Sequence, residues 1–346
     1  MIQSEYAKKN LIDFDNIEPV IIEVFVAYYG EAFRERIEAN VKNAVVCPVV
    51  GYMESFLHDF EFAGHKISWM EKSKIKKEVS KFALEQAKGM QEKDIKQVDM
   101  TMRCFDVEDY ATAEVQILRG KNGQTKQFVL FGFTNQVGDS VVVHEFIHVA
   151  EGYDIEEAGG TRSFCGLYDS GLYDQNGAWI KEPDREYMAL RNENYFNELL
   201  TELKAQAICE ELKEKGIVLI SDVQFDCVYA KNFEITAPFL KQLIPYANQA
   251  IFTKNKEVLY DLFGGKEEYY RFTKVLSDLD KASYTNVRWE INDTDLDKIK
   301  SRAEVFRNLE TLKKYRNKCD YINALVEFKE IMDKVQEKIN EDDSNL

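Results

Sequence analysis

Apolar positions recur at helical spacing over most of this chain and at strand spacing over a short central part. Ile21, Ile22, Phe25, Val26, Tyr29 and Phe33 make one stripe, with Glu23, Glu31, Arg34 and Arg36 on the other faces, which predicts a helix over 17–42. Pro19 falls in its first turn, where a missing N–H does no harm. Residues 53–64 and 71–92 read as two more helices, the second with Lys-rich faces. The period then shortens. Residues 100–107, 112–119 and 127–133 have the composition of strands, and Lys121-Asn122-Gly123-Gln124 is a hairpin signal, so a small antiparallel meander is expected. Val45 to Tyr52, interrupted by Pro48 and Gly51, is too short to assign.

Beyond the meander an apolar run, Val141 to Ala150, reads as a helix that Asp139 or Ser140 would cap. Gly159 to Asp184 is polar and punctuated by glycines, and reads as a long loop of the kind that serves as a lid. Its Phe164, Tyr168, Tyr173 and Trp179 either line a cleft or pack the loop down. Phe196, Leu199, Leu200, Leu203, Ala207 and Ile208 predict a long helix over 193–214. Residues 217–221 suggest a short extended piece. Helices are then expected over 238–255, 256–263, 267–278, 294–311 and 317–340, with Leu262-Phe263-Gly264-Gly265 as a helix C-terminus and 341–346 frayed.

Chemistry enters with His144-Glu145-Phe146-Ile147-His148 inside the apolar run. Histidines four residues apart share a helix face and can hold one metal ion, with Glu145 beside it as a general base. The uncharged flanks and Val141, three residues before His144, suit the longer pattern of zinc peptidases. On these residues alone a buried helix with hydrogen-bonded histidines is the other reading. His58 and His65 have no carboxylate at ligand spacing and read as ordinary histidines.

Zinc in a hydrolytic site takes three protein ligands and leaves a fourth position for water. A third histidine six residues after His148 would extend the pattern, but that position is Asp154, and Glu151 stands where glycine is required. Gly160-Thr161-Arg162-Ser163-Phe164 begins a Gly-Thr-x-x-Asp pattern and ends in Phe164. On the 193–214 helix, Glu198 and Glu202 lie one turn apart with Asn197 and Thr201 beside them, either as a solvated acidic face or as part of a site. Glu193 and Glu186 compete as ligands but lack those flanking residues.

With His144-Glu145-Phe146-Ile147-His148 and Asn197-Glu198-Leu199-Leu200-Thr201-Glu202, the chain resembles the gluzincins, the thermolysin-like clan of zinc metallopeptidases. The resemblance covers two short stretches about fifty residues apart. It implies Zn2+ held by His144, His148 and Glu198. Glu202 would be the acid that hydrogen-bonds a zinc-bound histidine, with Asn197 preceding the ligand. It implies hydrolysis of a peptide or protein substrate by a zinc-activated water, with Glu145 taking the proton and passing it to the leaving amine. A Tyr or His usually completes the oxyanion site in such enzymes, and Tyr187, Tyr195 and Tyr229 are candidates by position. The fold expected is α+β and mainly helical: a small antiparallel sheet packed on two zinc-binding helices, with a helical C-terminal part. An edge strand beside the cleft could pair with an extended substrate.

The 346 residues suffice for two or three cores: a mostly helical region over 1–95, a zincin core over 96–215 and a helical domain over 216–346. A net charge of −16 argues against nucleic acid and against anionic membrane surfaces. No apolar run approaches the roughly 20 residues of a membrane span, and residues 1–15 do not resemble a signal peptide. Six scattered cysteines without a Cys-x-x-Cys pair suggest reduced thiols in a cytoplasm. Two other readings remain: a catalytically inactive zinc-binding or peptide-sensing regulatory protein of the same fold, and a helical scaffold with no metal.

Overall fold

The computed structural model describes the chain except for residues 50–58, 63–64, 105–112, 121–123, 133–136, 181–186, 222–229, 285–308 and 345–346. The fold is α+β and mainly helical. Two compact units interleave along the sequence. The first comprises Met1–Asp184, Thr201–Asp226 and Ile251–Lys254, and the second Arg185–Leu200, Cys227–Ala250 and Asn255–Leu346.

The first unit opens with strand β1 (Ile2–Gln3) and helices α1 (Glu5–Asn10), α2 (Glu18–Tyr29) and α3 (Arg34–Asn43). The single helix expected over 17–42 is therefore two, joined by a 3-10 turn over Glu31–Phe33. Gly30 makes the break: its φ of 109° is a backbone state that side chains rarely adopt. Strand β2 (Val45–Val49) follows, then the hairpin β3 (Asp59–Phe62) and β4 (His65–Ser68), then α4 (Trp69–Gln86) and α5 (Glu92–Cys104). Two expectations fall here. Of the helix expected over 53–64, residues 59–62 are a strand, and 53–58 and 63–64 lie outside the described residues. Residues 100–104 end a helix instead of starting a strand, because Val98 and Met102, one turn apart, are both buried.

Strands β5 (Ala113–Arg119) and β6 (Thr125–Gly132) form the expected antiparallel pair, with Ala113 opposite Phe131 and Arg119 opposite Thr125. The sheet they belong to is mixed, not antiparallel: its order is β1-β2-β6-β5, and β2 runs parallel to both β1 and β6. The unassigned run at Val45 forms β2, one of its two inner strands. Val45, Val46, Cys47 and Phe128 to Phe131 are all fully buried, and a strand covered on both faces reads as a continuous apolar run.

Helix α6 (Asp139–Glu151) carries the two histidines. Phe146, between them, packs 6.4 Å from Phe14, which in turn stacks 5.7 Å from Phe131 of β6, so aromatic contact joins helix to sheet. Strands β7 (Gly152–Glu157), β8 (Gly160–Cys165), β9 (Tyr168–Tyr173) and β10 (Trp179–Ile180) then form a second, wholly antiparallel sheet. The loop expected over 159–184 is thus largely antiparallel strand joined by short turns, with 181–184 outside the described residues. Gly160 lies where a Cβ would meet the Tyr173 carbonyl, and Gly171 has a φ of 118° beneath the Trp179 ring, so these glycines serve close strand packing.

Helix α7 (Tyr187–Glu214) runs through both units. The second unit adds α8 (Ala230–Phe252) up to Ala250, α9 (Glu257–Phe263), α10 (Lys266–Tyr284) and α11 (Leu309–Ser344). Its core is aromatic: Phe196 meets Tyr269 and Phe272 edge-on, and Phe272 stacks on Phe328. Gly264 ends α9 in the left-handed state, with the Gly265 N–H on the Tyr260 carbonyl and the Gly264 N–H on that of Asp261. The helix expected over 294–311 falls largely outside the described residues, and α11 reaches Ser344, through most of the expected fray.

Candidate metal centre

Helix α6 is buried on nearly all sides. Val142, Val143, Phe146, Ile147, Val149 and Ala150 are each at most 1% exposed, which fixes the helix and the direction its histidines take. Both ends are pinned. At the N-terminus, Gly138 occupies the cap, so neither Asp139 nor Ser140 does. The Asp139 carboxylate instead accepts the backbone N–H groups of Leu219, Ile220 and Ser221 at 2.9, 2.7 and 3.0 Å. Residues 217–221 are accordingly an irregular segment draped over an acid, not a strand. At the C-terminus, Arg36 donates to the carbonyl oxygens of Glu151 and Ile251, and Asn40 donates to those of Ala150 and Gly152. A negative charge at the start and a cation at the end both suit the helix dipole.

On this frame the Nε2 atoms of His144 and His148 stand 3.2 Å apart. Two ligands at 2.0–2.1 Å from a tetrahedral ion lie about 3.3 Å apart, so the imidazoles already have the separation one ion requires. His144 Nδ1 is 3.2 Å from Glu202 Oε2. That contact assigns the proton to Nδ1 and leaves the Nε2 lone pair for an ion. Gln206, one turn further along α7, donates to Glu202 Oε1 at 3.1 Å and holds the carboxylate in place.

Glu198 lies one turn before Glu202 on the same unbroken helix, so the two carboxylates share a face. Ligand atoms of His144, His148 and Glu198 all lie within 4.8 Å of one another, the one such group among the described residues. Two imidazoles and one carboxylate fit zinc and leave room for water. Glu145, beside His144, is only 7% exposed. Asn197 and Thr201 are buried on α7.

No family model matches the chain, and no curated protein or solved structure matches it either.

The competing acid Glu193 is engaged elsewhere: in the second unit its Oε1 accepts from Lys256 Nζ at 2.8 Å and from the Tyr269 hydroxyl at 2.9 Å. Glu186 and Tyr229 lie outside the described residues, as does the Tyr187 side chain, while Tyr195 is half-buried on α7. His58 also lies outside them, and His65 opens β4.

Sequence reading missed Gln206, and it missed a buried ion pair between Glu151, the last residue of α6, and Lys204 of α7. Glu151 is fully buried and Lys204 is 1% exposed. Lys204 had left a trace in the pattern: it stands between Leu200 and Ile208, one turn from each, on an otherwise apolar face.

Proposed function

We propose that this protein is a zinc-dependent metallopeptidase of the gluzincin kind. The observation that carries the reading is the convergence of His144, His148 and Glu198, with Glu202 hydrogen-bonded to the far nitrogen of His144. A bound zinc ion would lower the pKa of a water to near 7 and polarise a carbonyl oxygen. Glu145 takes the proton from the attacking water and delivers it to the leaving amine. Its burial keeps it from being solvated as a free surface acid. Glu202 fixes the tautomer of His144 and raises its basicity as a ligand, and Gln206 orients Glu202.

The substrate in this reading is a peptide or protein. A net charge of −16 supports neither a nucleic acid nor an anionic membrane surface as partner. No helix among the described residues is long and apolar enough to cross a membrane. A cytoplasmic location belongs to the same proposal and accords with Cys47, Cys165 and Cys209 as free thiols.

The test is metal content of the purified chain, wild type beside Glu198→Ala, followed by peptide-library hydrolysis by wild type and Glu145→Gln. One zinc per wild-type chain, a sharp loss in Glu198→Ala, and hydrolysis abolished with zinc retained in Glu145→Gln would support the reading. Wild type without metal after zinc is added back, or binding iron in preference, would overturn it. Zinc without hydrolysis of any peptide would favour the inactive, peptide-sensing alternative.

A further inference from the structure

Glu151 and Lys204 lie within a few residues of the metal candidates yet face away from water. Glu151 is fully buried, three residues after His148 on α6, and Lys204 is 1% exposed, two residues after Glu202 on α7. Glu151 Oε1 accepts from Lys204 Nζ and also from the Tyr29 hydroxyl at 2.8 Å, which brings α2 onto the same carboxylate. The Lys204 ammonium also lies 5.9 Å from the centre of the Tyr29 ring. Glu151 Oε2 is buried and has no hydrogen-bond partner among the described residues.

Taking two charges out of water is expensive, and apolar residues of the same volume are often at least as stable there. Stability alone therefore does not account for the pair. Its position does. The second half of α7 touches α6 through polar contacts at two rungs, His144 to Glu202 and Glu151 to Lys204. The rungs are seven residues apart on α6 but two apart on α7, roughly 10 Å against 3 Å of helix rise. Two such points, with directional donors and acceptors, forbid α7 to slide or roll along α6. Glu198 rides on the same continuous helix, so its carboxylate is set by the same two points.

We propose that Glu151, Lys204 and Tyr29 form a positioning clamp that sets the register of α7 on α6 and so tunes the affinity and geometry of the metal site. The inference rests on the metal reading above. In it the clamp touches neither metal nor substrate and acts through Glu202 and Glu198.

The experiment compares wild type with the neutral double variant Glu151→Gln, Lys204→Met and with the hydroxyl deletion Tyr29→Phe. Zinc affinity is read by competition with a chromophoric chelator. Ligand geometry is read from the visible spectrum of the protein loaded with Co2+, and folding from circular dichroism and Tm. The double variant is expected to keep its helical spectrum and a Tm no lower than wild type, to bind zinc 10–100-fold more weakly, and to shift the cobalt bands. Tyr29→Phe should show the same direction at smaller size, a few-fold. A folded double variant whose zinc affinity and cobalt spectrum stay within twofold of wild type would overturn the clamp. If the double variant fails to fold, Tyr29→Phe decides, and an unchanged affinity and spectrum there would overturn it. Failure of the metal reading itself is distinct: wild type would then bind neither Zn2+ nor Co2+.

Discussion

The carboxylate of Glu202 holds two partners, His144 Nδ1 on one oxygen and Gln206 on the other. Its removal should be felt at the metal and not in the fold. Glu202→Ala is expected to bind zinc 10–100-fold more weakly at nearly unchanged Tm, measured by chelator competition. Equal affinity would remove Glu202 from the site. Cys47 supplies a second check at this scale. It is fully buried in β2, and burial pushes its thiol up to about 12. The thiolate is the nucleophile, and at pH 8 only about one molecule in ten thousand would carry it. Cys47 should therefore resist iodoacetamide at pH 8 in native protein and react once unfolded, as read by peptide mass mapping. The histidine pair was legible from four-residue spacing alone, since helix geometry is local. The Glu151 and Lys204 pairing was not, because a lysine on an apolar face announces a buried partner without naming it, and the partner lies 53 residues away.

At the scale of elements, α6 is held by aromatic contact as well as by its pinned ends. Phe146→Ala should destabilise the protein by about 3–5 kcal/mol, checked by urea unfolding, and should weaken metal binding because the same helix carries both histidines. A loss under 1 kcal/mol would mean that Phe14 and Phe146 are not a structural contact of weight. Strong 3.6-residue stripes placed α7 and α10 but stopped short of the first turns of α7 and the last turns of α10, and the hairpin partners β5 and β6 were readable from composition. Two other stretches misled for physical reasons. Glycines at Gly160 and Gly171 look like loop punctuation, although here they let strands and the Trp179 ring approach closely. In residues 100–104 the strand reading failed because the helical face buried in α5 has only two apolar members, Val98 and Met102, its third being the acid Asp94.

At the scale of the whole molecule, a ligand that binds only the folded state stabilises it by mass action. In the proposed reading, zinc held by residues 144, 148 and 198 would join parts of the chain that separate on unfolding. Free zinc at one hundred times its dissociation constant should add about 2.7 kcal/mol. The Tm should rise on adding zinc and fall on adding EDTA, with both shifts absent in His148→Ala. A Tm indifferent to zinc in wild type would contradict the metal centre. The two compact units were not legible in advance, because composition is read along the chain and the units are not contiguous along it.

That interleaving has a consequence for synthesis. The chain passes between the units at 184/185, 200/201, 226/227, 250/251 and 254/255. The histidines of α6 leave the ribosome well before Glu198 and Glu202, and the first unit lacks its last segment until Lys254 has emerged. A nascent chain thus carries two of the three candidate ligands for the time needed to translate about fifty more residues. If the proposed centre holds, its assembly is completed only late in translation, and arrest of synthesis before residue 198 would yield a polypeptide that has both histidines and lacks Glu198.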